Sequence, residues 1–95
     1  MTGACLIGRV KVRNAEKWDA YRRGIPATLV PWNATLVARG SGPVVLAGET
    51  DETDMVVIRF PDLETIERWY RSDAYQALVP LRQEAADVVI VGYPI

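Results

Sequence analysis

Three arginines, Arg9, Arg39 and Arg59, each fall inside a short apolar run with the two-residue alternation of a strand. A guanidinium offers a planar fork of donors that grips a carboxylate or phosphate through two bonds. Three of them on one surface would make an anion-binding face. Alternation assigns that face: Arg9 is opposite in parity to Leu6 and Val10, Arg39 to Leu36 and Ala38, and Arg59 to Val56, Ile58 and Phe60. The pattern predicts a row of cations on the sheet side away from the helices. Once covered, such a row needs anions. These are either carboxylates of Glu49, Asp51, Glu52 or Asp54, from the same or a second chain, or a small anionic ligand.

A second set is aromatic. Tyr21, Trp32, Asn33 and Tyr70 could line a pocket between helices and sheet, where an apolar wall with phenols and an amide suits a flat aromatic or polyketide-like molecule. A tyrosine there moves a proton only if its pKa is perturbed. The competing assignment places Trp18, Tyr21 and Trp69 in the core between helix and sheet. Tyr21 and Arg39 are the catalytic candidates; Arg9, Arg59, Trp32, Asn33 and Tyr70 are the candidate ligand contacts. The chain has no histidine, which excludes a Ser-His-Asp triad or a Cys-His pair. One cysteine, Cys5, and no histidine argue against zinc, and Asp51 to Asp54 matches no calcium loop. There is no phosphate-binding glycine loop or dinucleotide fingerprint. Neither a metal nor a cofactor is expected.

The elements that must hold these groups can be read in order. Cys5 to Val12 is a strand. Asn14 caps a helix bearing Trp18, Tyr21, Ile25 and Leu29, and Gly24 with Pro26 predicts a kink or a break near Ile25. Pro31 ends that helix. Thr35 to Arg39 is a second strand, and Gly40, Gly42 and Pro43 predict a bulge or bend after it. Met55 to Phe60 is a third strand, stopped by Pro61. Asp62 caps a helix whose apolar stripe is Leu63, Ile66, Trp69 and Tyr70. Ser72 and Asp73 restart a helical segment, Pro80 opens a further turn over 81–86, and 87–93 is a fourth strand. The order β-α-β-β-α-β is the ferredoxin-like α+β plan: a four-stranded antiparallel sheet with two main helices on one face. The last strand is apolar at nearly every position, so a second copy is expected to cover the bare sheet face, sheet to sheet, as a homodimer.

The 95 residues suit one domain, 1–95, and 49% hydrophobic with 24% charged residues is a globular composition. A net charge of −1 argues against a nucleic-acid surface. So does the third strand, which lacks the exposed aromatics that stack on bases. No apolar stretch is long enough for a membrane, and Ala4 to Gly8 is too short for a secretory segment. With a lone cysteine, a cytoplasmic setting is expected.

Several of these residues together resemble a family. They are Val12, Trp18 and Tyr21; Ala38-Arg39-Gly40; Gly48; Val56-Val57-Ile58-Arg59-Phe60-Pro61; Trp69-Tyr70-Arg71-Ser72; Tyr75; and Arg82. Over roughly residues 5–90 the chain resembles the family called domain of unknown function 1330, within the dimeric α+β barrel superfamily. The Phe-Pro corner followed by Trp-Tyr-x-Ser-x-x-Tyr is the specific part. The resemblance implies a ferredoxin-like protomer and a homodimer. In the wider superfamily it implies cofactor-free monooxygenases, cyclases, isomerases and dehalogenases. Departures stand at Asn33-Ala34-Thr35, where the family has Gly-Gly-Arg, and at Ala47-Gly48 for its Glu-Gly. Asp54 replaces an arginine, and Arg59 replaces a glutamate. Chemistry that relies on those groups does not carry over. The expected function is thus a cofactor-independent enzyme of cyclase, isomerase or monooxygenase type on a small aromatic, polyketide-like or carboxylate metabolite. The alternative is a non-catalytic binding or structural homodimer.

Overall fold

The computed structural model describes residues 3–95. Four strands, β1 (Ala4–Val12), β2 (Thr35–Ser41), β3 (Asp54–Phe60) and β4 (Ala86–Pro94), form one antiparallel sheet in the order β2-β3-β1-β4. The helices are α1 (Ala15–Leu29), α2 (Leu63–Arg71), α3 (Asp73–Gln76) and α4 (Val79–Ala85), and a 3-10 turn spans Val30–Trp32. This is the ferredoxin-like α+β fold. No helix among the described residues is long and apolar enough to cross a membrane.

Local chemistry accounts for the helix boundaries. The side chains of Asn14 and Asp62 accept from the backbone N–H of Lys17 and Thr65, at 3.0 and 2.7 Å, and so start α1 and α2. Ser72 ends one helix and begins the next: its backbone N–H donates to Trp69 O, while its Oγ accepts from the Tyr75 N–H. Pro80 sits in the first turn of α4, where a missing N–H costs nothing. Helix α1 runs on through Pro26 to Leu29. Thr28 Oγ1 donates to Ile25 O at 2.7 Å, giving one carbonyl beside the proline a partner. Gly24 eases the packing of α1: a Cβ there would lie 2.9 Å from Leu78 Cδ2, so that leucine would have to shift.

The core lies between the sheet and the α2–α4 layer. Trp69, Tyr75 and Phe60 are at most 2% exposed, and Leu6, Ile58 and Ile66 pack with them. Trp69 Nε1 donates to Thr28 Oγ1 at 3.1 Å, so the indole's polar atom is satisfied in the interior.

Pairing corrects one expectation about faces. Leu36 pairs with Ile58, but Ala38 pairs with Val57 and Arg39 with Val56. Val37 is an extra residue, a β-bulge ahead of the glycines where one was expected. Beyond it every side chain changes face. Arg39 therefore joins Leu36, Val56 and Ile58 on the helix side, and the predicted row of three arginines does not form. Arg9 and Arg59 remain on the open face, but Arg9 stands opposite Met55 and Arg59 opposite Cys5, four positions apart along β3.

Candidate functional site

Helix α1 rests mainly on α4 and on the 3-10 turn, and only weakly on the strands. Beneath it, toward β2 and β3, lies a groove of about 1180 Å³. Its floor is the helix-side face of the sheet, including Leu6, Gly8, Val10, Val56 and Ile58. Gly8 adds depth where a side chain would not fit, since a Cβ there would come 2.6 Å from Val56 Cγ1. The roof is α1, through Trp18, Tyr21, Ile25 and Leu29. Arg39, Ser41 and Asp54 line the β2–β3 end, and Asp19 with Arg22 lines the helix side. Asp19 is paired to Arg22 and Arg23, whose guanidiniums hold its carboxyl below the usual carboxylate range. Arg39 has no ion-pair partner among the described residues, so it is the uncommitted cation of the groove. The register sets Ser41 opposite Asp54 and Arg39 opposite Val56, which makes Arg39 and Asp54 diagonal neighbours across the strand pair.

Tyr21 lines the groove beside Trp18, on which it stacks with ring centroids 5.1 Å apart. Its hydroxyl is engaged deeper in the protein. Tyr21 and Tyr75 share a hydrogen bond of 2.8 Å, and Arg82 Nη1 donates to Tyr75 Oη at 2.9 Å and to Tyr70 Oη at 3.3 Å. Burial first, then the neighbouring Tyr75, pushes the Tyr21 phenol well above the ordinary tyrosine value. At neutral pH it is a hydrogen-bonding phenol and not a base.

The other candidates scatter. Tyr70 lines a separate pocket with Arg82. Trp32 packs under the guanidinium of Arg68, 5.8 Å from ring centroid to Cζ. Asn33 caps the 3-10 turn in the left-handed conformation, at φ 56°. Neither Trp32 nor Asn33 lines the groove, so the expected Tyr21-Trp32-Asn33-Tyr70 pocket is not assembled. Arg9 pairs with Glu52 at 2.8 Å, the structural fate allowed for it above, and Lys11 pairs with Asp51 at 2.7 Å. Those bonds tie the loop between β2 and β3 to β1. Arg59 is exposed and without an ion pair among the described residues. Sequence reasoning missed Trp18, Arg22 and Asp54 as groove-lining residues. Trp18 and Arg22 have the i,i+4 spacing of a single helix face, and that signal was available.

The fold recurs among solved structures. A protein of unknown function from Rhodopseudomonas palustris is 19% identical and superposes with a TM-score of 0.82, over 96% of this chain and 80% of that one. SnoaB, a cofactor-independent oxygenase from Streptomyces nogalater, is 8% identical with a TM-score of 0.71, over 98% of this chain and 92% of its own. A dimeric ferredoxin-like protein of unknown function from Thermobifida fusca is 14% identical with a TM-score of 0.70, over 99% of this chain and 92% of its own. At these identities the likeness concerns the fold alone. No functionally curated protein matches the sequence. A family model matches residues 3–93, nearly the whole chain, and on that match the protein belongs to the family described as domain of unknown function (DUF1330).

Proposed function

We propose that the groove under α1 binds a small aromatic, polyketide-like or carboxylate metabolite, and that the protein acts on it as a cofactor-independent enzyme of cyclase, isomerase or monooxygenase type. The observation that carries this reading is the groove itself. It is large and mostly apolar, with one uncommitted guanidinium, Arg39, on its wall and a carboxylate, Asp54, diagonal to it. Arg39, exposed at the β2 edge of the groove, is the cation that stabilises an enolate or phenolate oxygen developing on the substrate. Asp54 is the carboxylate placed to take the proton, and the stacked pair Trp18 and Tyr21 gives a flat ring a surface to lie against. SnoaB, on the same fold, is a cofactor-independent oxygenase, which lends the reading support by analogy of fold. Tyr21 keeps its proton and acts by packing and hydrogen bonding.

One observation favours a non-catalytic binding protein instead: the Tyr21 hydroxyl is already engaged by Tyr75. Turnover separates the two readings. Metal- and flavin-free protein incubated with phenolic and polyketide substrates is expected to exceed the buffer rate, and Arg39→Ala to abolish the excess. A melting-temperature shift with the same compounds, lost in Arg39→Ala but without turnover, would leave only binding.

The reading includes a homodimer. The open sheet face carries Ile7, Val57, Met55, Val89, Val91 and Tyr93; of these, Met55, Val89 and Tyr93 are 39%, 49% and 52% exposed in the single chain. The similarity to a protein described as dimeric supports closure of that face by a second copy. Light scattering of the wild-type chain is expected to give twice the protomer mass, and Val89→Arg to give one.

A further inference from the structure

The second pocket adjoins the groove, sharing Leu6, Val88 and Ile90 with it, and opens between α2, α4 and the edge strand β4. It has a volume of about 300 Å³. Its walls are Leu6, Ile66, Val88 and Ile90, and Tyr70, Glu67, Arg71 and Arg82 supply its polar groups. Arg82 is partly buried. Both of its bonds to phenols leave from Nη1, and its Nε–H is buried with no hydrogen-bond partner. A guanidinium has five N–H donors, so most of this one's capacity is unused. No carboxylate lies within ion-pairing distance of Arg82 or Arg71 among the described residues. Glu67, on the same wall, pairs with neither. A cation withdrawn from water without an anion is costly, and an orphaned donor beside it adds to the cost.

We infer that this pocket is a second ligand site, for a small organic carboxylate held by the Nε and Nη2 edge of Arg82. Bidentate capture along that edge gives the unpartnered Nε–H its acceptor and the partly buried cation its counter-charge. Arg71 adds a second positive charge at the mouth. The apolar walls select a carboxylate with a short hydrocarbon or ring over a bare inorganic anion, and the volume limits it to a small one. The Tyr70 ring, 6.0 Å from the Arg82 Cζ, fixes the guanidinium plane. The site shares apolar walls with the groove under α1 but no charged group, so Arg82 and Arg39 variants test the two sites separately.

The test is calorimetric titration of sodium benzoate into the full chain at constant ionic strength. Saturable binding is expected, with one site per protomer weakened at least about tenfold in Arg82→Gln, as suits the loss of a charge-assisted pair. Because Arg82 also holds Tyr75 in the core, Arg71→Ala is the companion variant. It alters an exposed side chain, leaves the fold intact, and is expected to weaken binding several-fold. Glu67→Gln should bind as well as wild type or better, and Arg39→Ala should keep this site while removing any benzoate held in the groove. Absence of saturable binding at millimolar benzoate would overturn the inference, as would affinity indifferent to both Arg82→Gln and Arg71→Ala. Loss of binding in Arg39→Ala alone would move the carboxylate to the groove, sinking this site while sparing the groove reading.

Discussion

One sheet face is covered in two ways. Under α2, α3 and α4 it is packed around three rings, leaving only the small pocket beside Arg82: Trp69 lies 4.3 Å from Tyr75 and 5.5 Å from Phe60, centroid to centroid, and all three are essentially without exposure. Under α1 the same face is half bare, with a groove of about 1180 Å³ and Leu36 still 49% exposed. The aromatic side chains account for the difference. Large rings from α2 and α3 fill their half, whereas the floor under α1 is aliphatic and is deepened by Gly8. Cooperative stability is concentrated on one side and the larger cavity lies on the other, so mutations in the two halves should differ in size.

The sharpest break of that contrast is Trp69→Ala against Leu36→Ala. The first is expected to cost about 3–5 kcal/mol in urea unfolding, as a buried aromatic lost with its bond to Thr28. The second should stay under about 1 kcal/mol, near the range of partly exposed sites. Equal costs would mean that the two halves are one core. Next comes Gly8→Ala, which presses a methyl onto Val56. It should cost about 1–3 kcal/mol, and much of that should be recovered in a Val56→Ala background. Tyr75→Phe removes the hydroxyl between Arg82 and Tyr21 and should destabilise by about 1–3 kcal/mol. Its effect should be sub-additive with Tyr21→Phe, because both remove the same hydrogen bond.

The smallest effect is a pH dependence. Burial raises the Tyr21 pKa in the folded chain, while the unfolded phenol ionises near its ordinary value of about 10. Above that pH the unfolded state releases a proton that the folded state retains, so stability is full below about pH 10 and falls as pH rises further. Tyr21→Phe should flatten this alkaline decline in melting temperature relative to wild type. An equally steep decline in both would show that the phenol is more solvated than its place beside Tyr75 implies.

Much of the fold is legible along the chain because its signals are local. Asn14 and Asp62 announce helix starts through one side chain bonding one nearby N–H. Pro61 closes a strand, and the alternation of Leu6, Gly8 and Val10 holds in the structure as written. The alternation of Arg9 and Arg59 holds too. The expected pocket of Tyr21, Trp32, Asn33 and Tyr70 failed for a different reason: helical spacing tells which residues share a helix face, but not which helix stands off the sheet. Tyr21 and Tyr70 both pack on Tyr75, but Tyr21 lines the groove and Tyr70 the second pocket.

By itself, then, the sequence determined the order of elements, their caps, and the face of each residue in β1 and β3, since each depends on neighbours within a few positions. The face of Arg39 was decided by tertiary structure. A bulge at Val37 exists only relative to the strand paired with it, and one unpaired residue reverses every side chain that follows. That reversal carries an arginine from the open face into the groove, as a diagonal neighbour of Asp54 in the strand register.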